Sequence, residues 1–324
     1  MKIRKIGALV IILASAYLFG LRMNHLSGVS PKTYFSEGFY LDTYVTAASY
    51  KNETDIFNAV SFLDNEFQAA YSNKANALSS DILLDCISKT AALNEKYGDG
   101  INITCGELTA LWGISTDNPR VPAQGEILSA LESIVAPPYA EFGENTRLDF
   151  GAVAKGYACD YVLADLEKDE QAVCVVASMG SSALLYGEKP DGKPFKSAIK
   201  NPADPEIFLG YVYTQAAFIS TTGGYERFFE YDGVKYEHIF DLNTGRPIET
   251  DLSSVTAVVP IGVENGGILS DFIATLVYME GVENLGKYLD NDDFYDDFYI
   301  VAADINGQIY VSAGLDFEAF TDDG

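Results

Sequence analysis

The chain of 324 residues is short of the side chains on which much protein chemistry relies: it has two histidines, one tryptophan, four methionines and four cysteines. Two histidines cannot build a His-rich metal centre. Cys86, Cys105, Cys159 and Cys174 are too widely spaced for a zinc or redox motif. Three of them sit among apolar neighbours and read as packing residues, with one disulfide pair as the alternative. Positive charge is scarce too, since 21 Lys and Arg face 47 Asp and Glu, a formal net charge of −26. That deficit argues against a nucleic-acid partner, which needs a cationic surface to neutralise phosphates. It reads instead as a solvated acidic exterior.

What the chain does have is apolar mass: 48% of its residues are hydrophobic, enough for a sizeable core in one large domain. Lys2, Arg4 and Lys5 precede an apolar run from Ile6 to Leu21, which Arg22 closes. Residues 1–23 therefore read as an export signal or a membrane anchor with the remainder outside the cytoplasm. Small residues at Ala14 and Ala16 allow cleavage, but Tyr17-Leu18-Phe19 continues the apolar run and favours an anchor; no nearby cysteine offers a lipid site. Residues 24–34, polar and containing Gly, Ser, Pro and His25, read as a stalk, and 35–324 as the functional domain.

Along that domain the expected fold is α+β, a mixed or antiparallel sheet with packed helices. Phe39–Ala48 is expected as a first strand. Apolar positions Ile56, Ala59, Val60, Leu63, Phe67 and Ala70 predict a helix over Thr54–Tyr71, and Ser79-Ser80-Asp81 announces another to Tyr97. A short helix is expected over Gly125–Val135. Asp149-Phe150-Gly151-Ala152-Val153-Ala154-Lys155-Gly156 reads as a strand, a small-residue turn and a helix to Leu166, a place where main chain can approach a pyrophosphate. Strand-like runs follow through Ala172–Ser220. Asp232-Gly233 between Phe228–Tyr231 and Val234–Phe240 signals a tight hairpin, and Ser253–Pro260 is a further strand. Ser270 or Asp271 then starts a helix, a place where an acid is usually a cap. A last helix near Asn284–Leu289 and a hairpin turning at Asn306-Gly307 close the fold. The acidic run Asp290–Asp297 lacks calcium-loop spacing and reads as a solvated connection.

Chemistry-bearing residues concentrate in Ser220–Pro247, STTGGYERFFEYDGVKYEHIFDLNTGRP. His238, the sole histidine outside the stalk, stands where a strand runs into a loop, and an imidazole titrating near neutral pH suits a general base. Asp241, three residues on, either orients that ring or touches ligand. Asp271 and Thr275 are four apart, so a carboxylate and a hydroxyl share one helical face and can reach one hard cation.

TTGGYERFF and HIFDLNTGRP, with DFGAVAKGYACD upstream and SDFIAT downstream, resemble the FAD:protein FMN transferases, the ApbE-type flavin transferase family. Weaker matches at LDTYVT (Leu41–Thr46) and GELTALWG (Gly106–Gly113) extend the likeness over most of the chain. The sequence departs from the family at Met179-Gly180-Ser181-Ser182, where a paired glycine and an acidic or amide residue are usual, and Ser181 and Ser182 are not nominated. The resemblance implies FAD contacts at Leu41, Trp112, Asp149, Lys155, Thr222, Gly223 and Phe240. It also implies a Mg²⁺ site at Asp271 and Thr275, with Ala152 and Ala274 offering backbone oxygens. The implied reaction moves FMN from FAD, the substrate, to a Ser or Thr hydroxyl of an exported flavoprotein subunit of a membrane electron-transfer system, with AMP leaving. The alternatives are a Mg²⁺-dependent FAD pyrophosphatase, a flavin-binding protein without turnover, and an acidic surface adhesion domain.

Overall fold

The fold is organised by an antiparallel sheet whose two faces meet different surroundings. In the computed structural model, which describes residues 32–50, 54–72, 80–139, 141–204, 206–290 and 297–320, that sheet has eight strands. In spatial order they are β1 (Thr33–Tyr40), β2 (Thr43–Tyr50), β3 (Cys174–Met179), β4 (Ser182–Gly187), β7 (Ala217–Thr222), β12 (Leu252–Pro260), β13 (Tyr299–Asp304) and β14 (Ile309–Val311). Every neighbouring pair runs antiparallel. On one face Val45, Ala47, Val175, Ala177, Leu184 and Phe218 enter the main apolar core. Their chain neighbours Thr46, Ala48, Val176, Ser178, Ala183 and Ile219 line a cavity on the other. Adjacent side chains of a pleated strand point to opposite faces, so one sheet serves both core and site.

Helices cover the core face: α1 (Phe57–Ser72), α2 (Asp81–Tyr97), α5 (Ala154–Leu166) and α6 (Gly266–Glu280). In α1 the buried residues Ala59, Val60, Leu63, Phe67 and Ala70 are those whose spacing predicts it. Helix α6 is buried from Gly266 to Tyr278 because it lies between β7 and β12 on one side and α2 and α5 on the other. Helices α3 (Gly106–Trp112) and α4 (Gln124–Leu131) form a smaller apolar cluster beside the cavity, and the short α7 (Gly286–Leu289) precedes β13.

A second, three-stranded sheet, β5 (Phe195–Lys200), β6 (Phe208–Thr214) and β15 (Phe317–Ala319), in spatial order β15-β6-β5, packs on part of the cavity face of the main sheet through Phe195, Ile199, Leu209 and Val212. The expected hairpin is β8 (Phe228–Tyr231) and β9 (Val234–Glu237), with Asp232 and Gly233 both left-handed at φ 51° and 78°. After it, β10 (Phe240–Asp241) pairs with β11 (Arg246–Pro247).

Several expectations shift. Phe39–Ala48 is a hairpin, not one strand: β1 turns into β2 at Leu41 and Asp42, at φ 52° and 54° without a glycine. The stalk range overlaps β1, which starts at Thr33. The last of the strand-like runs in Ala172–Ser220, Tyr211–Ser220, divides between two sheets, because β6 ends at Thr214 and β7 begins at Ala217. Helix α4 stops at Leu131, short of Val135. Helix α6 starts at Gly266, so Asp271 is in its second turn and is not a cap. The four cysteines are free thiols, Cys86, Cys159 and Cys174 buried. The anchor, His25 and all but two residues of the acidic run lie outside the described residues; among those described, no helix is long and apolar enough to cross a membrane.

Candidate functional site

The cavity on the sheet's second face has a volume of about 2070 Å³ and collects residues from both ends of the domain. At its floor is Asp271, 6% exposed. Its Oδ2 accepts the backbone N–H of Gly156 at 2.7 Å and its Oδ1 the hydroxyl of Ser182 at 2.5 Å. Helix α6 is capped by another carboxylate, Asp160 of α5, which accepts the N–H groups of Gly267 and Ile268 at 2.7 and 2.8 Å. Burial raises the Asp160 carboxyl to about 6 against the pull of those two bonds. One turn beyond Asp271, Thr275 lines the same cavity, its hydroxyl 3.0 Å from that of Thr222, and Ala152 lines it from the turn before α5.

These residues fit a hard divalent cation. A carboxylate offers about four acceptor positions, of which Asp271 uses two. A hydroxyl lies one helical turn away. Among the described residues no three His, Cys, Asp or Glu converge, and the donors at hand, a carboxylate and a hydroxyl, are oxygens of the kind a hard cation takes. Ala274 does not belong to it: the residue is fully buried in the core cluster and does not line the cavity, since one step along α6 turns it away.

His238 lies in the break between β9 and β10, on the wall of the cavity that Asp271 also lines. Its Nδ1 is 3.2 Å from the carbonyl oxygen of Arg227. A carbonyl only accepts, so Nδ1 carries the proton and Nε2 keeps its lone pair. Burial, and then the positive charges of Arg227 and Lys155, press the imidazole down to about 3. The expectation of a ring titrating near neutrality is therefore corrected: without ligand the ring is a neutral base across the physiological range.

The other nominated residues divide. Leu41, Asp149, Lys155, Thr222, Gly223 and Phe240 line the cavity. Asp149 also accepts the Thr109 hydroxyl at 2.6 Å and the Gly151 N–H at 2.7 Å, which hold its carboxylate in place. Trp112 does not line it: the indole is fully buried against Tyr236 and Phe240, and its N–H donates to Gly245 at 3.0 Å. Asp241 does not orient His238. Its carboxylate accepts the N–H of Asn243 at 2.9 Å and the hydroxyl of Thr244 at 2.9 Å, it folds the β10–β11 turn, and it is absent from the cavity wall. Ser182 and Arg227 were not nominated, although one binds Asp271 and the other orients His238. The available signals were positional: Ser182 ends the stretch that departs from the family pattern, and Arg227 immediately precedes the hairpin. The paired glycines serve a close approach, not a positive φ: a Cβ on Gly224 would stand 1.6 Å from Glu237 Oε2.

Comparison with known proteins bears on the family and the fold. The FAD:protein FMN transferase of Salmonella typhimurium is 30% identical over 202 residues, 58% of this chain and 57% of that protein, so the chain spans little more than half the relative's length. The apbe protein of Thermotoga maritima superposes with a TM-score of 0.75 at 22% identity, covering 87% of this chain and 97% of that one. The apo flavinyl transferase ApbE of Pseudomonas stutzeri gives 0.69 at 20%, covering 89% and 97%. At such identities the two structures establish the shared fold. The profile of the ApbE family matches residues 41–296, a span that contains every cavity residue discussed above, and the chain belongs to that family.

Proposed function

We propose that this protein transfers FMN from FAD to a Ser or Thr hydroxyl of a flavoprotein subunit, releasing AMP, with Mg²⁺ held by Asp271, Thr275 and the backbone near Ala152. The observation that carries the reading is that His238 and Asp271, from distant parts of the sequence, line one cavity.

The acceptor oxygen attacks the FMN-side phosphorus, the bond from that phosphorus to the bridging oxygen breaks, and AMP departs with that oxygen. His238 takes the hydroxyl proton at Nε2, the nitrogen left free by the Arg227 carbonyl. Its resting pKa of about 3 makes a weak base. Burial is the first cause of that depression, and the Arg227 and Lys155 charges that add to it are also those that attract a pyrophosphate, so a bound anion that neutralises them raises the ring from its resting value. When bound, Mg²⁺ supplies charge neutralisation on the phosphoryl oxygens. Asp149 and Lys155 hold the dinucleotide, and Thr222 and Gly223 shape its loop. The basic and apolar N-terminal sequence supports a site of action outside the cell membrane, on an exported subunit of an electron-transfer system.

Incubation with FAD, Mg²⁺ and a candidate acceptor, followed by the mass of the acceptor, tests this. Covalent FMN on the acceptor is expected from the native protein and not from His238→Ala or Asp271→Ala. Flavinylation that persists in both variants overturns the site. FMN and AMP appearing without acceptor would mark hydrolysis instead.

A further inference from the structure

One wall of the cavity has no part in the chemistry proposed above. All six residues of β5, Phe195 to Lys200, line it. Successive side chains of a strand point to opposite faces, so a wall made by one face would show three of the six. Contact by all six means that the cavity wraps the strand, reaching both of its faces and the free edge between them. Among the described residues β5 pairs with β6 alone, so that edge carries backbone N–H and C=O groups without a strand partner.

We infer that this edge docks the acceptor: an extended, acidic segment of the polypeptide that receives the flavin pairs with β5. The inference rests on the flavin-transfer reading of the same cavity. Three further observations support it. The volume of about 2070 Å³ is twice the upper end of the roughly 300–1,000 Å³ typical of small-molecule sites, so a second substrate has room beside a dinucleotide. Lys189, Lys193, Lys196 and Lys200 all line this wall, in a chain whose net charge of −26 repels acidic partners elsewhere; Lys189 stands 3.8 Å from Asp191 and Lys196 3.7 Å from Glu318, so Lys193 and Lys200 are the charges most open to a partner. The strand also leads to the chemistry: Lys200 Nζ is 5.1 Å from the centre of the Tyr225 ring, which packs against Gly223 of the flavin loop. Lysines on an edge also guard against chance pairing. Main-chain pairing supplies affinity, the lysines select charge, and the hydroxyl is delivered at the Lys200 end.

The test is fluorescence anisotropy of the full chain with a labelled extended peptide carrying one Thr among Asp, Ala, Ser and Gly. A copy with Lys for Asp, and copies methylated at single backbone nitrogens, complete the set. Pairing with one edge engages alternate peptide N–H groups. Methylation is therefore expected to weaken binding about threefold to tenfold at every second position and to leave the interleaved positions unchanged. The Lys193→Glu/Lys196→Gln variant should lose affinity for the Asp peptide while its KM for FAD stays put. Equal effects at all positions, equal binding of the Lys peptide, or a raised KM for FAD with unchanged peptide affinity would overturn the docking. FAD binding, read separately by flavin fluorescence, reports on the transfer reading itself: its loss with alternation intact faults that reading and leaves the edge as a peptide site.

Discussion

Gly156→Ala tests how the site is tied to the fold. Gly156 of α5 faces Gly267 of α6, and a Cβ built on Gly156 would lie 2.1 Å from the Gly267 carbonyl oxygen and 3.0 Å from Asp271 Cβ. Real Cβ contacts essentially never fall below 3.0 Å, and the obstacle is backbone, so the helices must part by about 0.9 Å. A movement of that size carries the 2.7 Å bond from Gly156 N–H to Asp271 to the limit of hydrogen bonding. Overpacking costs about 1–3 kcal/mol and a lost bond to a charged group about 1.5–3, offset by about 1 kcal/mol of helix propensity. The expected net loss is about 1.5–5 kcal/mol in a urea titration. Transfer should fall further, about a hundredfold, because a misplacement near 1 Å is enough to spoil catalytic geometry. Gly286→Ala, where an added Cβ meets nothing within 4 Å, is the control and should be neutral. Native stability and activity in Gly156→Ala would refute the reasoning.

Three further outcomes are expected. His238 has a folded pKa of about 3 against 6.5 unfolded, so the unfolded chain binds the extra proton between those values and stability falls as pH drops through them. In His238→Gln that slope, at most about 1.4 kcal/mol per pH unit, should be missing from stability plotted against pH, and a variant curve as steep as the native one would refute the depressed pKa of the ring. Asp160, raised to about 6 from 3.8, has the opposite sign: its contribution is fully present below 3.8 and is lost as pH rises through 6. Asp160→Ala nevertheless leaves two helix N–H groups without a partner and should cost about 2–4 kcal/mol at pH 5 in the same titration. Trp112→Phe should lose about 1–3 kcal/mol by thermal unfolding with FAD affinity unchanged, whereas a tenfold loss of affinity would return Trp112 to the flavin site.

What could be read in the sequence was whatever is decided locally. Asp232-Gly233 specifies its turn through two left-handed φ values, and the spacing from Ala59 to Ala70 specifies which side of α1 is buried. The motifs placed Asp271, Thr275, Lys155 and His238 at one cavity. What failed was decided by partners far along the chain. Trp112 finds its acceptor 133 residues away, Ser182 meets Asp271 across 89, and Asp271 meets Gly156 across 115. The Leu41-Asp42 turn failed for a different reason: its left-handed residues are held by packing and by Asp64, which accepts the Leu41 N–H at 3.0 Å, with no glycine to announce it. Gly156 was read as room for a pyrophosphate and is room for a helix.

That last substitution of roles explains why fold and chemistry are inseparable here. Asp271 is buried in a helix without a solvent face, and its two oxygens tie α6 to α5 through Gly156 and to the central sheet through Ser182. A carboxylate in such a place is disfavoured unless hydrogen-bonded, and each bond it takes also fixes its direction. The acceptor positions that remain are therefore aimed by the packing of three elements and not by the rotamer of one side chain. Removing the carboxylate would leave a backbone N–H and a hydroxyl unpaired in the same interior. A cation held there would inherit the rigidity of the core, whereas the histidine on the cavity wall hangs from one carbonyl in a strand break.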